Sequence, residues 1–353
     1  MSAGERILLV APAWVGDMVM MHALVQLLRA ADPAAVIDVV APAASLPIAR
    51  RMPEVRQAHL LDAAHGELAL GARWRLGRAL AAERYDRAIV LPRSFKSALV
   101  PLIAGATRRT GFGTELRRFL LNDPRPLDRA ALDQTVKRFL TLGLPAGALL
   151  PAAAQPRLRI DTDNLARLRA AQGLAATGAI ALLPGAAYGP AKQWPVEHWG
   201  ALARALAASG RTAWILGSPA ERLLGEQIRV IGGEGVVNLC GTTTLEDTVD
   251  LLHAAAAAVS NDSGLMHVAA AAGTHVVALY GSSSPTFTPP LTDRATVHYL
   301  GLDCSPCFQR TCPLGHLRCL RDLTPDRVLA SIPALDSPRN GAGTSTTTGS
   351  RSS

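Results

Sequence analysis

The chain has 353 residues, 49% of them hydrophobic and 18% charged, and a formal charge of +8, which marks a folded globular protein long enough for two domains. No apolar run reaches the ~18 uncharged residues of a membrane span, and the N-terminus shows no charged, apolar and cleavable signal pattern, so the expected location is cytoplasmic with at most peripheral membrane contact. The charge is uneven: residues 1–150 carry 20 Lys and Arg against 13 Asp and Glu, residues 151–353 carry 16 against 15, and the basic residues are not interleaved with the 4% of aromatics, so the first half suits an anionic partner other than single-stranded nucleic acid.

In chain order, residues 6–11 read as a buried strand, 12–17 as a loop and 18–31 as a helix. A strand at 36–40, a short helix at 46–51, a strand at 58–61, a helix at 69–83 and a strand at 87–91 follow. Residues 92–97 form a second loop at a strand's carboxyl end. Residues 107–113 and 122–127 are turn-rich, and 133–142 is helical. The stretch 143–156 holds Gly, Pro and Ala with little pattern and reads as a linker. After a helix at 163–172 the alternation resumes, with strands at 179–183, 212–216, 236–239, 255–260 and 276–280 and helices at 196–208, 220–231, 245–254 and 264–272. This predicts two α/β doubly wound parallel sheets. The expected domains are 1–150 and 151–332, with a disordered tail over 333–353 rich in Ser, Thr and Gly. Chemistry belongs in the cleft between the facing strand ends.

Four strand-end loops carry candidate residues. Trp14-Val15-Gly16-Asp17 opens a helix, where Asp17 is either an N-cap or a general base at the cleft mouth. Pro184-Gly185-Ala186 with Gly189-Pro190-Ala191-Lys192 suits a diphosphate, with backbone donors around it and Lys192 as a point charge. Neither a Walker ending nor a Gly-x-Gly-x-x-Gly fingerprint is present, which argues against a nucleotide-dependent oxidoreductase. Glu221, after Gly217-Ser218, is either an acceptor for ribose hydroxyls or a helix-dipole partner. Asn261-Asp262-Ser263-Gly264 stands at a strand-to-helix turn suited to phosphate, with His267 one turn inside the helix; the structural alternative is that Asp262 or Ser263 merely caps it.

Taken together, Trp14-Val15-Gly16-Asp17-Met18, Ser94-Phe95-Lys96-Ser97-Ala98, Pro184-Gly185-Ala186 with Gly189-Pro190-Ala191-Lys192-Gln193-Trp194, and Asn261-Asp262-Ser263-Gly264-Leu265-Met266-His267 resemble the lipopolysaccharide heptosyltransferases of glycosyltransferase family 9, from about residue 6 to 332. Ser-Phe-Lys-Ser and Pro-Ala-Lys-x-Trp favour members that add the second core heptose over those that add the first, with neighbouring specificities left open. The resemblance implies a GT-B fold, a monomer, no cofactor and no catalytic metal. It implies an ADP-heptose donor in the C-terminal half and a phosphorylated Kdo-heptose-lipid A acceptor, met by the N-terminal half at the cytoplasmic face of the inner membrane. Carried onto matching positions, it makes Asp17 the base and Lys192 the group stabilising the departing diphosphate. Gly185, Glu221, Asp262, Ser263, Gly264 and His267 become donor contacts. Arg73, Arg75, Arg93, Lys96, Arg108 and Arg109 are the candidates for the acceptor.

One motif lies outside that chemistry. Cys304-x2-Cys307-x4-Cys312-x6-Cys319, with His316 nearby, has metal-ligand spacing at its first pair; a structural metal, free thiols and disulfides all remain open from the sequence. Cys240 reads as a small buried apolar residue.

Overall fold

The computed structural model describes residues 4–64, 66–174 and 178–334. Nearly all of the expected disordered tail therefore lies outside the described residues. The first half builds β1 (Arg6–Val10), β2 (Val36–Ala41), β3 (Val55–Leu60), β4 (Arg87–Val90), β5 (Arg108–Phe112) and β6 (Asp123–Arg125), linked through α1 (Val15–Ala31), α2 (Leu46–Arg50), α3 (Leu70–Leu80) and α4 (Leu99–Ile103) and followed by α5 (Thr135–Gly143). The strands lie in the order β3-β2-β1-β4-β5-β6, and every pairing is parallel. Helices cover both faces of such a sheet, so its central strands are apolar on both sides. Ile7, Leu8, Leu9 and Val10 of β1 are all buried.

The second half repeats the plan. It contains α6 (Thr162–Gln172), β7 (Ile180–Leu183), α7 (Val196–Ala208), β8 (Ala213–Ile215), α8 (Arg222–Gly232), β9 (Val236–Asn238), α9 (Leu245–Ala254), β10 (Ala257–Asn261), α10 (Gly264–Ala271), β11 (His275–Tyr280), β12 (Ala295–Tyr299), α11 (Arg318–Arg321) and α12 (Pro325–Leu329). Its strands run β12-β11-β10-β7-β8-β9, again all parallel. Each sheet therefore reverses its winding once, between β1 and β4 in the first and between β7 and β10 in the second. At such a reversal the loops at the two carboxyl ends part and leave a crevice. Of the four loops with candidate residues, those of Asp17, Gly185–Lys192 and Asp262 leave from β1, β7 and β10, and that of Glu221 leaves from the neighbouring β8.

Three differences from the sequence reading have local causes. The turn-rich stretches around 110 and 124 are strands β5 and β6, disguised by Arg, Gly and Pro at the sheet's edge, where Pro is tolerated. Strand β12 was not expected; it is a second edge strand whose residues are mostly half-buried. Helix α1 starts at Val15, three residues earlier than its apolar spacing suggests. Among the described residues no helix is long and apolar enough to cross a membrane.

The halves meet along α1 and α10 and through polar ties. Arg51 Nη2 donates to Asp250 Oδ2 at 2.7 Å, and Asp250 also accepts from Asp161 N and Asn164 Nδ2 at 2.9 Å each. Arg157 N donates to His22 Nδ1 at 3.1 Å, and Leu158 N donates to Ala271 O at 3.0 Å. Immediately after the patternless linker the chain is thus tied to both halves by its backbone.

Candidate active site

The four loops enclose a cleft of about 950 Å3 lined from both halves. On the first side, the N-cap of α1 is Trp14, with no side-chain capping bond, and Asp17 stands in the first turn. The N-cap reading of Asp17 is therefore corrected: its carboxylate lines the cleft instead. Burial raises its pKa from 3.8 to about 6, with Lys192 pulling it down and Asp262 pushing it up. A carboxylate tuned to that range is ionised at neutral pH and still basic enough to take a proton from a hydroxyl as it attacks.

On the second side, β10 ends at Asn261, whose side chain is consumed in structure: Nδ2 donates to Pro184 O at 2.7 Å and Oδ1 accepts from Trp194 N at 3.1 Å. Asn261 thereby bolts the 184 loop and the Lys192 loop to the end of one strand. Next along the chain, Asp262 is buried and accepts from Lys192 Nζ at 2.5 Å. Ser263 is the N-cap of α10 but makes no side-chain capping bond, which corrects the expectation that Asp262 or Ser263 caps the helix. Without a cap, the positive end of α10 is left for a ligand.

Gly16 and Gly264 explain how closely the two halves approach. A Cβ on Gly16 would stand 2.8 Å from His267 Cδ2, and one on Gly264 would stand 3.0 Å from Val15 Cβ. His267 is buried against the start of α1, and burial pushes its pKa down to about 4; Asp262 opposes the shift and Lys192 adds to it. It is a neutral imidazole at physiological pH.

Gly185 has a different reason. A Cβ there would fall 1.8 Å from Glu221 Oε1, so the Glu221 carboxylate takes the place a side chain would fill. Its other oxygen accepts from Ser218 N at 2.6 Å and Ser218 Oγ at 2.9 Å, forming a capping box. Glu221 is thus a cap in this structure, and it also lines the cleft.

Of the basic residues proposed for the acceptor, the structure brings only Arg93 to the cleft wall. Arg73 is buried and donates to Leu68 O at 2.7 Å, and Lys96 donates to Glu67 O at 2.8 Å. Arg75 is exposed on α3, away from the lining. Arg108 and Arg109 begin β5, at the opposite end of the sheet. Residues not anticipated take part: Arg138, Phe287, Thr288 and Tyr188 all line the cleft. Arg138 stacks on Phe287 at 4.9 Å, and burial and the charge of Arg93 depress its pKa. Thr288 Oγ1 donates to Asp262 Oδ1 at 3.5 Å. Arg138 sits in mid-helix with no local signal, whereas the stretch 281–290, which follows the strand expected at 276–280 and also reads as a strand-end loop, gives no reason to choose Phe287.

Residues 73–318 match the family model for glycosyltransferase family 9 (heptosyltransferase). The chain is 41% identical over 346 residues to lipopolysaccharide heptosyltransferase 2 of Escherichia coli, covering 94% of this chain and 98% of that one. It is 40% identical to lipooligosaccharide heptosyltransferase 2 of Haemophilus ducreyi, covering 93% and 98%. The solved structure of E. coli ADP-heptose LPS heptosyltransferase II superposes with a TM-score of 0.82 at 41% identity, over 92% of this chain and 96% of that one. Two sheets of one topology with a cleft between their reversal points are the GT-B architecture, and the chain is a glycosyltransferase belonging to family 9, the heptosyltransferases.

Proposed function

We propose that this protein moves L-glycero-D-manno-heptose from ADP-heptose to the first heptose of Kdo-heptose-lipid A, with inversion, in assembly of the lipopolysaccharide inner core. The observation that carries the mechanism is a carboxylate with a raised pKa, Asp17, on one wall of the cleft, with Lys192 and the uncapped α10 on the other. The acceptor hydroxyl gives its proton to Asp17 as its oxygen bonds to the anomeric carbon. The bond from that carbon to the diphosphate breaks, and ADP leaves with the electron pair. Lys192 and the α10 N–H groups, with Ser263 and Gly264 at their head, meet the charge growing on the diphosphate. Gly185 leaves room for Glu221 beside the nucleoside, and His267 buttresses the floor.

The domains follow these roles: residues 1–150 present the acceptor and 151–332 hold the donor. Arg93 and Arg138, two guanidiniums on the acceptor side, suit its phosphate or carboxylate groups. Exposed Leu70 and Trp74 on α3 and exposed Leu116 and Phe119 after β5, with Arg75 and Arg118 beside them in the chain, suit peripheral contact with an anionic bilayer at the cytoplasmic face.

The test is turnover of ADP-heptose on purified Kdo-heptose-lipid A. Asp17→Asn is expected to lower kcat by about 10²–10⁴-fold with ADP affinity little changed; nearly intact turnover would remove Asp17 from the mechanism. An acceptor panel including Kdo-lipid A and longer cores fixes which heptose is added.

A further inference from the structure

The four-cysteine motif is not used by the chemistry above, yet the structure gathers it. Cys304, Cys307, Cys312 and Cys319, spread over a loop and the start of α11, line one cavity of about 20 Å3, together with Ala191 and Ser282. None of the cysteines is in a disulfide. The hydroxyl of Ser282 is buried on the cavity wall with no hydrogen-bond partner. Among the described residues no group of three or more His, Cys, Asp or Glu stands arranged to hold a metal ion, so binding one requires the cysteine side chains to move from their present positions.

The same loop carries the residues that hold the Lys192 segment. Between the second and third cysteines, Phe308 O accepts from Tyr188 Oη at 2.7 Å, and Arg310 Nε donates to Tyr188 O at 2.8 Å. Arg310 O accepts from Ala191 N at 3.0 Å, next to Lys192. Gly189 lacks the Cβ that would lie 2.5 Å from Arg310 O. Lys192 and Arg310 both stack on the Tyr188 ring, at 5.1 and 5.6 Å. On its other side the loop is tied to the end of β11: Phe308 N donates to Ser282 O at 2.7 Å and Ser305 Oγ donates to Gly281 O.

We infer that Cys304, Cys307, Cys312 and Cys319 hold a single thiophilic transition ion, zinc or iron, and that this ion fixes the loop on which Tyr188 and Lys192 rest. Four thiolates select those metals by softness and tetrahedral geometry. Each thiol gives its proton to solvent as its sulfur bonds the metal, and no electron changes hands. His316 is left out of the ligand set because its Nδ1 already accepts from Arg318 N at 3.0 Å.

The experiment is elemental analysis of the full chain purified under reducing conditions without added metal, followed by cobalt titration of chelator-treated protein. The expected result is about one zinc or iron per chain, the two told apart by the iron–thiolate colour, and a thiolate-to-cobalt absorption band. Cys307→Ser and Cys312→Ser are expected to lose the ion, and His316→Ala to keep it. Wild-type protein with neither bound metal nor a cobalt band overturns the site, and so does loss of the ion in His316→Ala but not in Cys312→Ser. The link to Lys192 rests on the donor-pocket reading and has its own measurement: metal removal is expected to weaken ADP binding on the order of 10-fold. Unchanged ADP affinity overturns the link alone, and wild-type protein that binds no ADP indicts the donor reading while leaving the metal result intact.

Discussion

Asp17 is a residue whose placement costs stability and which the proposed mechanism makes the base. Its pKa rises from 3.8 to about 6 on folding, so the folded state binds more protons than the unfolded state between those values, and stability falls as pH rises through them. Asp17→Asn is therefore expected to raise the denaturation midpoint at pH 8 and to leave it nearly unchanged near pH 4. On the proposed mechanism the same ionisation is expected to set the acid limb of the kcat/KM profile at about pH 6 for the wild type. Since the Lys192 ammonium holds the Asp17 pKa down, Lys192→Met should move that limb to higher pH as well as slow turnover; an unmoved limb assigns it to another group. Sequence alone singled out Asp17 and left cap and base in balance. The helix starting at Val15 removes the cap reading by putting the carboxylate in the first turn, and the base role is the proposal made above.

At the scale of elements, the meeting of α1 and α10 sets the distance between Asp17 and the proposed donor pocket. Gly16→Ala places a methyl 2.8 Å from the ring of buried His267. Overpacking of this kind costs about 1–3 kcal/mol, read by chemical denaturation, and turnover should fall because Asp17 is displaced with the helix. Wild-type values of both would mean that the interface yields freely. The elements that carry the motifs were legible in the sequence because each is a buried parallel strand followed by a helix, with an apolar run giving way to helical spacing. The edge strands were not. Strands β5 and β6 read Arg-Arg-Thr-Gly-Phe and Asp-Pro-Arg, and what makes them strands is the pairing partner alongside, a non-local fact. Helix α5 was visible, but that Arg138 on it meets Phe287 from the other sheet depends on how the two halves sit together.

For the molecule as a whole, two copies of one topology face each other and are held by a small number of buried polar ties. Asp250 is fully buried and accepts from Arg51 in the other half. Removing one partner of such a pair leaves an uncompensated charge. Asp250→Ala should cost about 3–5 kcal/mol, measured by urea unfolding, and loss below about 1 kcal/mol would show that water takes over the role of the carboxylate. The uneven charge of the two halves was plain from composition, but most of the basic residues it pointed to are spent on structure. Arg73 and Lys96 satisfy backbone carbonyls, and Arg108 pairs with Glu5, so only Arg93 of the predicted set faces the cleft.

The 2.5 Å contact between Lys192 and Asp262 bears on the rhythm of turnover. In the donor pocket proposed above the ammonium already has a counter-ion, so a diphosphate is expected to enter by exchange, taking over a partner that a fixed carboxylate gives up. On departure the exchange would run backward, with Asp262 reclaiming the lysine as the nucleotide lets go. Such a site trades some grip on its ligand for release, because the spent nucleotide would never be the only anion the lysine can hold.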